Sequence, residues 1–595
     1  MRVLALFLLA PLLVAADPSE KTVSKGVHHW MKSLSLREKV AQLFMIPFSG
    51  HAPNTSSREY RKFVHLVREV RVGGLIMVNV AQGRLMQRAT PHELAAFLNR
   101  MQRMTRIPLI VGGDFERGAS MRVNDTTVFP HAMAFAATGD PALTRYEGEV
   151  TARESRAIGV QWIFYPDADV NNNPDNPIIN IRSFGENPQV VARHVVAFIE
   201  GAQSDRRDRV LTTAKHFPGH GDTATDTHVG LASLPGDMKR LNELELIPFR
   251  AAIAKGVDAV MTAHIAVPEL GNPELPATLS SVVLTKLLRD QLGFQGLTVT
   301  DALDMGAIVK TYGTTEAALR SLEAGADVLL MPPDPEAAVN AIVTAVRRGR
   351  ISQKRIEQSV TRVLAAKIRV GLDKNRLVNL EAISDVVNSP EANERAQTMA
   401  DRAVTLVRNE SAQVPLKAPD KTCFIVLTES HYSNEGQAFT QELRRRTANA
   451  QIITLDPSLP DAALDEALAR TGACDSAVVA AFVSVAAYRG EVALAGSFPK
   501  LIDSLVASGK PVTLIALGSP YLLRHFPKVA AYLTTYSTVP PSEIAAVRAL
   551  YGEIAIHGHL PVTIPDLAKY GDGIQLPAIS VKPAPVVENR PSPGK

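Results

Sequence analysis

Eight short apolar segments, separated by amphipathic stretches, constrain the fold of this chain more than any other feature. They cover residues 41–48, 74–79, 108–114, 159–169, 210–216, 257–264, 297–301 and 326–331. Each has the length of a strand, is rich in Val, Ile and Leu, and lacks polar alternation, so we expect burial on both faces of a parallel sheet. Helical patterns such as residues 238–244 and 281–291 lie between them. Eight such strands within residues 21–388 predict a (β/α)8, TIM-like barrel, with an open doubly wound sheet as the competing architecture.

A second, shorter βα series begins near residue 421 and predicts a smaller three-layer α/β sandwich domain over residues 421–575. Its expected strands cover residues 423–428, 451–456, 476–484, 511–517 and 530–536. Residues 389–420 are expected to form a linker region with a charged helix. No glycine-rich phosphate-binding fingerprint follows the first of these strands, which argues against nucleotide binding. Five prolines after residue 576 predict that residues 576–595 form an extended, disordered tail.

The N-terminus is typical of a secretory signal peptide. Arg2 precedes a short apolar run, and small residues end in a cleavage pattern at Ala16. We therefore expect residues 1–16 to be removed and the mature protein to be soluble and exported, either to a periplasm or outside the cell. No later stretch is long and apolar enough to predict stable membrane insertion. The sequence does not determine the oligomeric state.

Charge and cysteine content exclude several classes of protein. Lys plus Arg (64) nearly balances Asp plus Glu (60), so no net field favours nucleic acid as a partner. The two cysteines, Cys423 and Cys474, exclude a disulfide scaffold and a zinc site built from clustered thiolates. At most one bridge can form between them, and the expectation is two buried free thiols.

Ionisable residues stand at the C-terminal ends of five predicted barrel strands. They are Asp114, Asp169, Lys215 with His216, His264 and Asp301. Burying such residues inside a strand core costs free energy. At the C-terminal face of a barrel, however, they converge on one pocket. The pattern therefore supports the barrel and predicts where its site lies.

The densest group of candidate functional residues lies in the loop that follows Lys215 and His216. His220, Asp226 and His228 come within the next twelve residues, and interspersed Pro and Gly exclude a helix there. One hypothesis is a metal site built from His216, His220, Asp226 and His228. Another is a dyad in which Asp226 orients His228 for proton transfer, since residues i and i+2 of an extended segment project from the same side. A solvated polar loop is the third interpretation.

Asp301 lies in the motif Thr300-Asp301-Ala302-Leu303-Asp304-Met305, at the end of the seventh predicted strand. A carboxylate that projects from a strand end into a pocket could be a nucleophile, a base or a metal ligand. Asp304 and Glu116 are instead expected to cap helices and make structural hydrogen bonds. Paired donors and acceptors at a pocket rim suit a hydroxyl-rich substrate.

Six motifs resemble glycoside hydrolase family 3, and within it the bacterial β-N-acetylhexosaminidase branch. They are Asp114-Phe115-Glu116-Arg117-Gly118; Asp169-Val170-Asn171; Asn176-Pro177 through Arg182-Ser183-Phe184-Gly185; Lys215-His216-Phe217-Pro218-Gly219-His220-Gly221; Met261-Thr262-Ala263-His264; and Thr300-Asp301-Ala302-Leu303-Asp304-Met305. The resemblance covers residues 36–372, and the second domain is similar to the sandwich that many members carry. One departure is Arg117-Gly118-Ala119, where the commoner pattern has a glycine pair followed by arginine. Arg122 still falls at the matching place.

The resemblance implies a retaining glycosidase that needs neither metal nor cofactor. It assigns Asp301 as the nucleophile, His228 as the acid/base and Asp226 as the residue that orients His228. It further implies that the terminal sugar is held by Asp114, Arg122, Arg182, Lys215 and His216. Retention requires one carboxylate to trap the oxocarbenium-like centre and one acid to protonate the leaving oxygen. A histidine, with an unperturbed pKa of about 6.5, can be that acid.

The expected activity is that of an exo-acting β-N-acetylglucosaminidase, which removes terminal N-acetylglucosamine, with peptidoglycan fragments as substrates. Three alternatives stay open. Two belong to other classes of protein: a barrel metallohydrolase and a non-catalytic carbohydrate-binding or scaffolding protein. The third is a β-glucosidase or glycoside phosphorylase within the same family.

Overall fold

Eight parallel strands form the barrel in this computed structural model, which describes residues 18–51, 53–82 and 85–579. The strands are β1 (Phe44–Phe48), β2 (Gly74–Met77), β3 (Ile110–Gly113), β4 (Trp162–Ile163), β5 (Leu211–Phe217), β6 (Ala259–Thr262), β7 (Leu297–Val299) and β8 (Leu329–Leu330). Strands β1 to β7 pair in parallel in chain order, and β8 pairs in parallel with β1. A parallel bridge between Val299 and Val328 links the remaining edges. The TIM-like barrel is confirmed, and the open doubly wound sheet is wrong. The predicted signal peptide lies outside the described residues.

All eight predicted apolar segments overlap a barrel strand, and seven of the strands are shorter than their segments, the exception being β5. Segment 159–169, for example, contributes only Trp162–Ile163 to the sheet. Strands β2, β3, β5 and β6 are buried along their whole length, as the absence of polar alternation predicts. The barrel interior is tightly filled, because a Cβ on Gly112 of β3 would lie 2.8 Å from the ring of Phe164.

Helices pack around the barrel, as the (β/α)8 pattern requires. They include Pro18–Lys32, Leu36–Ala41, Arg58–His65, Leu66–Val70, Pro91–Arg103, Ala132–Ala137, Pro141–Ala157, Pro188–Ala202, Met238–Glu243, Leu246–Lys255, Val282–Gln291, Gly306–Ala324, Pro335–Arg347 and Gln353–Arg369. Short strands Val80–Gln82 and Leu85–Gln87 pair with each other, as do Ala232–Ser233 and Ile265–Ala266. Within the described part of the chain, no helix combines the length and apolar character needed to cross a bilayer.

The second domain is a six-stranded sheet covered by helices. Its strands are β9 (Thr405–Asn409), β10 (Thr422–Leu427), β11 (Gln451–Leu455), β12 (Ser476–Val483), β13 (Val512–Gly518) and β14 (Ala531–Thr534). The strand order is β9-β14-β13-β12-β10-β11, parallel except for β9. Helices of this part of the chain include Pro390–Ala403, Gln437–Arg446, Asp461–Arg470, Phe498–Ala507 and Pro540–Leu550. All five predicted strands are present.

Three expectations for this half of the chain need correction. Strand β9 lies within the predicted linker, and its pairing with β14 makes it part of the second sheet. Leu576 and Ile579 donate backbone hydrogen bonds to Ile556 and Gly552, so the predicted tail does not begin at residue 576. The rest of that tail, residues 580–595, lies outside the described residues.

The third correction concerns the cysteines, which form a disulfide between Cys423 and Cys474 rather than two free thiols. Cys423 is the second residue of β10, and Cys474 lies two residues before β12, the strand beside it. Pairing of these strands brings the two Cα atoms to 5.7 Å, a distance that suits a bridge. The separation of 51 residues in the sequence gave no sign of this proximity.

Candidate active site

A cavity of about 560 Å³ opens where the barrel strands end. Seven of the eight predicted site residues line it: Asp114, Arg122, Arg182, Lys215, His216, His228 and Asp301. The eighth, Asp226, is buried directly behind His228. The structure therefore brings the whole predicted set together at the C-terminal face of the barrel, where active sites of this fold lie.

Asp301 follows β7 and exposes a carboxylate to the cavity. The N–H of Ala302 donates a hydrogen bond of 2.8 Å to Asp301 Oδ1. Burial alone would raise the pKa of Asp301, but the nearby His216 and His264 imidazoles outweigh it and lower the pKa. Asp301 is therefore ionised at neutral pH, which is the form that a nucleophile requires.

Asp226 and His228 are in direct contact. Asp226 Oδ1 lies 2.8 Å from His228 Nδ1 and also accepts the backbone N–H of His228 at 2.9 Å. These residues lie in a turn, so the predicted extended geometry is wrong. The carboxylate instead binds the backbone two residues later, as Asp does in tight turns, and the same oxygen reaches the ring. Because Asp226 binds Nδ1, the other ring nitrogen, Nε2, is left for a substrate.

Glu116 holds two of the predicted sugar-binding cations in place. It accepts two hydrogen bonds of 2.8 Å from Arg182 and one of 2.6 Å from Lys215. Lys215 also donates to Asp114 at 3.2 Å, and Arg122 donates to the other Asp114 oxygen at 3.3 Å. Burial opposes the charge on Glu116, but Arg182 and Lys215 hold its pKa well below the usual range. The rim therefore presents fixed donors and acceptors to a hydroxyl-rich ligand.

His216 is fixed by Asp169, whose Oδ2 lies 2.7 Å from Nδ1. Burial would lower the pKa of His216, but the Asp169 carboxylate more than compensates and raises it. His220, on the same loop, contacts the hydroxyls of Thr223 and Thr227, and burial lowers its pKa to about 4. His216 thus carries positive charge into the cavity more readily, whereas His220 is neutral.

Two further candidate residues, His264 and Asp304, have different positions at the site. His264 is buried, with Nδ1 2.7 Å from Thr278 Oγ1 and Nε2 2.9 Å from the carbonyl oxygen of Ala302, so it supports the Asp301 loop. Asp304 was expected to cap a helix, but the helix beginning at Gly306 has no side-chain cap, and Asp304 lines the cavity.

Asp167 lies beside Arg182, Lys215 and His216 but does not line the cavity, and the sequence did not indicate it. It is fully buried, and neither carboxylate oxygen has a hydrogen-bond partner. Burial and the nearby Glu116 raise its pKa to about 7. Asp167, Asp169 and His216 form the one group among the described residues whose ligand atoms could surround a metal ion. Arg182 and Lys215 approach Asp167 Oδ1 at 3.7 and 4.0 Å, and these cations disfavour a metal there.

The metal hypothesis of the sequence analysis used His216, His220, Asp226 and His228. These four do not form such a group within the part of the chain that the structure describes. His216 Nδ1 contacts Asp169, and His228 Nδ1 contacts Asp226. Both ring nitrogens of His220 contact threonine hydroxyls. The dyad explains the geometry of this loop better than a metal site does.

Residues of the second domain complete the wall of the cavity, a contribution that the sequence analysis did not predict. Residues 484–488, which follow β12, line the wall beside His228, and Thr538 lies in the same lining. The backbone N–H of Tyr488 donates to Asp226 Oδ2 at 2.8 Å. Loops after strand ends of an open α/β sheet are where ligands commonly bind, so this loop could have been singled out. Nothing in its local sequence indicates that it faces the barrel.

A TIM-like barrel with an ionised carboxylate, a histidine–aspartate pair and a polar rim at its C-terminal face has the groups that an enzyme hydrolysing a hydroxyl-rich substrate requires. The family comparison agrees with this class. The Glycosyl hydrolase family 3 N terminal domain matches residues 35–366, and the Glycosyl hydrolase family 3 C-terminal domain matches residues 376–587. The chain belongs to glycosyl hydrolase family 3 and is a glycoside hydrolase.

Several relatives are similar over most of their length. A β-hexosaminidase A from Pseudoalteromonas piscicida is 29% identical over 78% of this chain and 84% of its own. A β-N-acetylglucosaminidase/β-glucosidase from Cellulomonas fimi is 26% identical over 88% and 93%. The solved structure of a family 3 β-N-acetylglucosaminidase from Paenibacillus sp. str. FPU-7 is 33% identical, with a TM-score of 0.79 over 89% of this chain and 99% of that one.

Proposed function

We propose that this protein is an exo-acting, retaining β-N-acetylglucosaminidase that removes terminal non-reducing N-acetylglucosamine. The observation that carries the proposal is the Asp226–His228 pair, which adjoins the same cavity as the ionised Asp301. The pair supplies a proton donor, and Asp301 supplies a nucleophile, which are the two groups that hydrolysis with retention needs. Similarity to β-hexosaminidases and a β-N-acetylglucosaminidase supports the choice of sugar.

In the first step, Asp301 attacks the anomeric carbon while His228 acts as an acid. The imidazolium, stabilised by the Asp226 carboxylate, gives its Nε2 proton to the glycosidic oxygen, and the leaving group departs as an alcohol. The bond that forms joins Asp301 to the sugar as a glycosyl ester. The low pKa of Asp301 supports this role, since it keeps the carboxylate ionised.

In the second step, the neutral His228 acts as a base. It removes a proton from a water molecule, which attacks the anomeric carbon and releases the sugar from Asp301. Stereochemistry is retained because two inversions occur in sequence. Asp226 serves both steps, since it fixes the ring tautomer and stabilises the imidazolium.

The polar rim would hold the terminal sugar during these steps. Arg182 and Lys215 are anchored by Glu116 and leave donors at the cavity surface, while Asp114 offers an acceptor. Arg122 and His216 also line the cavity and complete the set. Fixed charged groups of this kind orient sugar hydroxyls at low entropic cost.

Peptidoglycan fragments in an exported compartment are the proposed natural substrates. The signal-peptide pattern at residues 1–16 supports export, and so does the Cys423–Cys474 disulfide, because disulfides persist in oxidising compartments.

A panel of chromogenic β-glycosides tests the proposal. We expect the N-acetylglucosaminide to be cleaved much faster than the glucoside and the xyloside. Faster turnover of the glucoside would contradict the assignment to N-acetylglucosamine while leaving the family assignment intact. Product formation that requires phosphate buffer would instead indicate a phosphorylase. Activity should survive overnight chelation, and a loss restored by zinc would favour the metallohydrolase.

A further inference from the structure

Three arginines, Arg88, Arg117 and Arg122, form a cluster on one side of the cavity. Arg117 and Arg122 follow β3 and line the cavity, whereas Arg88 comes from the segment after β2. A parallel bridge between Ala89 and Val123 sets the backbone of Arg88 beside that of Arg122. The fold itself therefore holds this arginine cluster together.

The protein does not neutralise the charge of the arginine cluster. Arg122 donates to Asp114 at 3.3 Å, but Asp114 is shared with Lys215, and the buried Nε of Arg122 has no hydrogen-bond partner. Arg88 and Arg117 form no ion pair with any residue that the structure describes. The cluster thus presents excess positive charge at the cavity.

Burial makes this excess charge costly in free energy. Burial, Arg88 and Arg122 together lower the pKa of Arg117 to about 9, and burial and Arg122 lower the pKa of Arg88. Glu116, next to Arg117 in the chain, is already bound by two other cations of the rim. Like charges that are partly removed from water repel one another unless an anion joins them. A sulfate or phosphate group would relieve this repulsion, since the planar guanidinium binds such oxyanions through two donors.

The turn that carries Arg117 is fixed by its surroundings. Gly118 has φ of 80°, and a Cβ there would lie 3.0 Å from the ring of Phe129 and 3.1 Å from the carbonyl oxygen of Thr127. In the commoner family pattern, glycine stands at position 117 and arginine at position 119, where this chain has Ala119. This chain therefore places a cation of the rim differently from that pattern.

The arginine cluster lies across the barrel from Asp301. In the closed strand order, β3 is four strands from β7 in either direction, so the residues after β3 face Asp301, which follows β7. The proposed mechanism places the anomeric carbon of the terminal sugar at Asp301. The 4- and 6-positions, which are remote from that carbon, then point toward the arginine cluster. The 6-oxygen reaches farther, because its carbon lies outside the ring.

We infer that the arginine cluster binds a sulfate or phosphate ester on the 6-position of the terminal sugar. The inference rests on the proposed function, because it uses Asp301 as the nucleophile and N-acetylglucosamine as the sugar. Unsubstituted N-acetylglucosaminides remain substrates, but they leave the cluster unneutralised and are cleaved more slowly.

Aryl β-N-acetylglucosaminides with and without a 6-ester test the inference. The 4-nitrophenyl glycoside is compared with its 6-sulfate and its 6-phosphate. In wild type, kcat/KM should be about tenfold higher or more for one ester than for the unsubstituted glycoside, and the preferred ester identifies the oxyanion. Arg117→Met should lower this ratio about tenfold, and Arg117→Lys should keep only part of it, because an ammonium lacks the planar fork. Arg61→Met, at an exposed arginine of helix Arg58–His65, is the matched control and should keep the ratio.

Inorganic sulfate supplies a readout that does not depend on activity. At equal ionic strength set with sodium chloride, sulfate should raise the unfolding temperature of wild type more than that of Arg117→Met, because it binds the folded cluster. Without sulfate, Arg117→Met should unfold at or above the wild-type temperature, since one of three like charges is gone.

Three results would overturn the inference. They are equal or faster wild-type cleavage of the unsubstituted glycoside than of both esters, an unchanged ratio in Arg117→Met, and equal stabilisation of the two proteins by sulfate. Failure of the proposed function looks different. Wild type would then cleave none of the three glycosides, while sulfate would still stabilise it more than Arg117→Met.

Discussion

Asp226 Oδ1 contacts His228 twice, at 2.8 Å from Nδ1 and at 2.9 Å from the backbone nitrogen. The second oxygen of Asp226 accepts the N–H of Tyr488 from the other domain. One buried carboxylate thus fixes the ring tautomer of His228, the turn that carries it and the loop that covers it. Both proposed chemical steps depend on this arrangement.

Asp226→Asn should keep the turn but lose the negative charge beside the imidazole. We expect turnover of a poor leaving group to fall by about 10²- to 10⁴-fold. Asp222→Asn, on the same loop but paired with Arg240, is the control and should keep wild-type turnover of the same substrate. Wild-type turnover of that substrate by Asp226→Asn would contradict the orienting role.

Asp301→Ala should lose nearly all turnover while the protein stays folded, because the carboxylate stabilises the transition state and not the core. Thermal unfolding of the variant should match wild type. An activated fluorosugar should label Asp301 in the wild-type enzyme, as peptide mass spectrometry would show. Asp304→Ala, at the neighbouring carboxylate of the cavity, should still be labelled at Asp301. A label on Asp304 or Asp169 would refute the assignment.

The disulfide predicts that denatured protein prepared without reductant contains no titratable thiol. The double variant Cys423→Ser with Cys474→Ser should lower the stability of the second domain by about 2–4 kcal/mol, because the bridge restricts the unfolded chain. Chemical denaturation would measure this loss. Two thiols per denatured chain would show that the bridge does not form.

Lys367 makes the stability of the barrel depend on pH. It is fully buried, with Gln42 Oε1 at 2.6 Å from Nζ, and burial lowers its pKa from 10.5 to about 7. Between these two values the folded state holds Lys367 neutral while the unfolded state holds it protonated. Unfolding then takes up a proton, so stability should rise with pH from about 7 to about 10.5.

Lys367→Met should abolish that rise and stabilise the protein at pH 7 by about 1–3 kcal/mol, since a buried amine is replaced by an apolar chain. Urea unfolding from pH 7 to 10 would measure both effects. Lys354→Met, at an exposed position of the same helix, should leave the pH dependence intact. A pH slope that is the same in Lys367→Met and wild type would show that the slope has another origin.

The sequence predicted the barrel because strands buried on both faces leave a distinctive pattern of Val, Ile and Leu without polar alternation. It also predicted which side chains meet, since the C-terminal ends of parallel strands share one face of a barrel. Strand lengths were overestimated where polar site residues turn away from the sheet, as after Trp162–Ile163. Strand β9 was missed because it follows a charged helix directly and its partner β14 lies more than a hundred residues later.

That a loop of the second domain faces the barrel could not be predicted for a similar reason. The hydrogen bond between Asp226 and Tyr488 joins residues 262 positions apart, and neither local sequence indicates the other. Asp167 was overlooked because an acid inside an apolar segment is expected to be hydrogen-bonded, whereas neither of its oxygens takes part in a hydrogen bond. The disulfide likewise depends on the pairing of β10 with β12.

The most direct test of the proposed mechanism is the time course of His228→Ala with an activated aryl β-N-acetylglucosaminide. Such a leaving group needs little protonation, so the glycosyl–Asp301 ester should form quickly, but no base activates water to release it. We predict a burst of about one equivalent of phenol per active site, then a slow steady state that azide accelerates, because azide attacks without a base. Wild-type turnover by His228→Ala on a poor leaving group, or a steady state that azide does not change, would contradict the dyad.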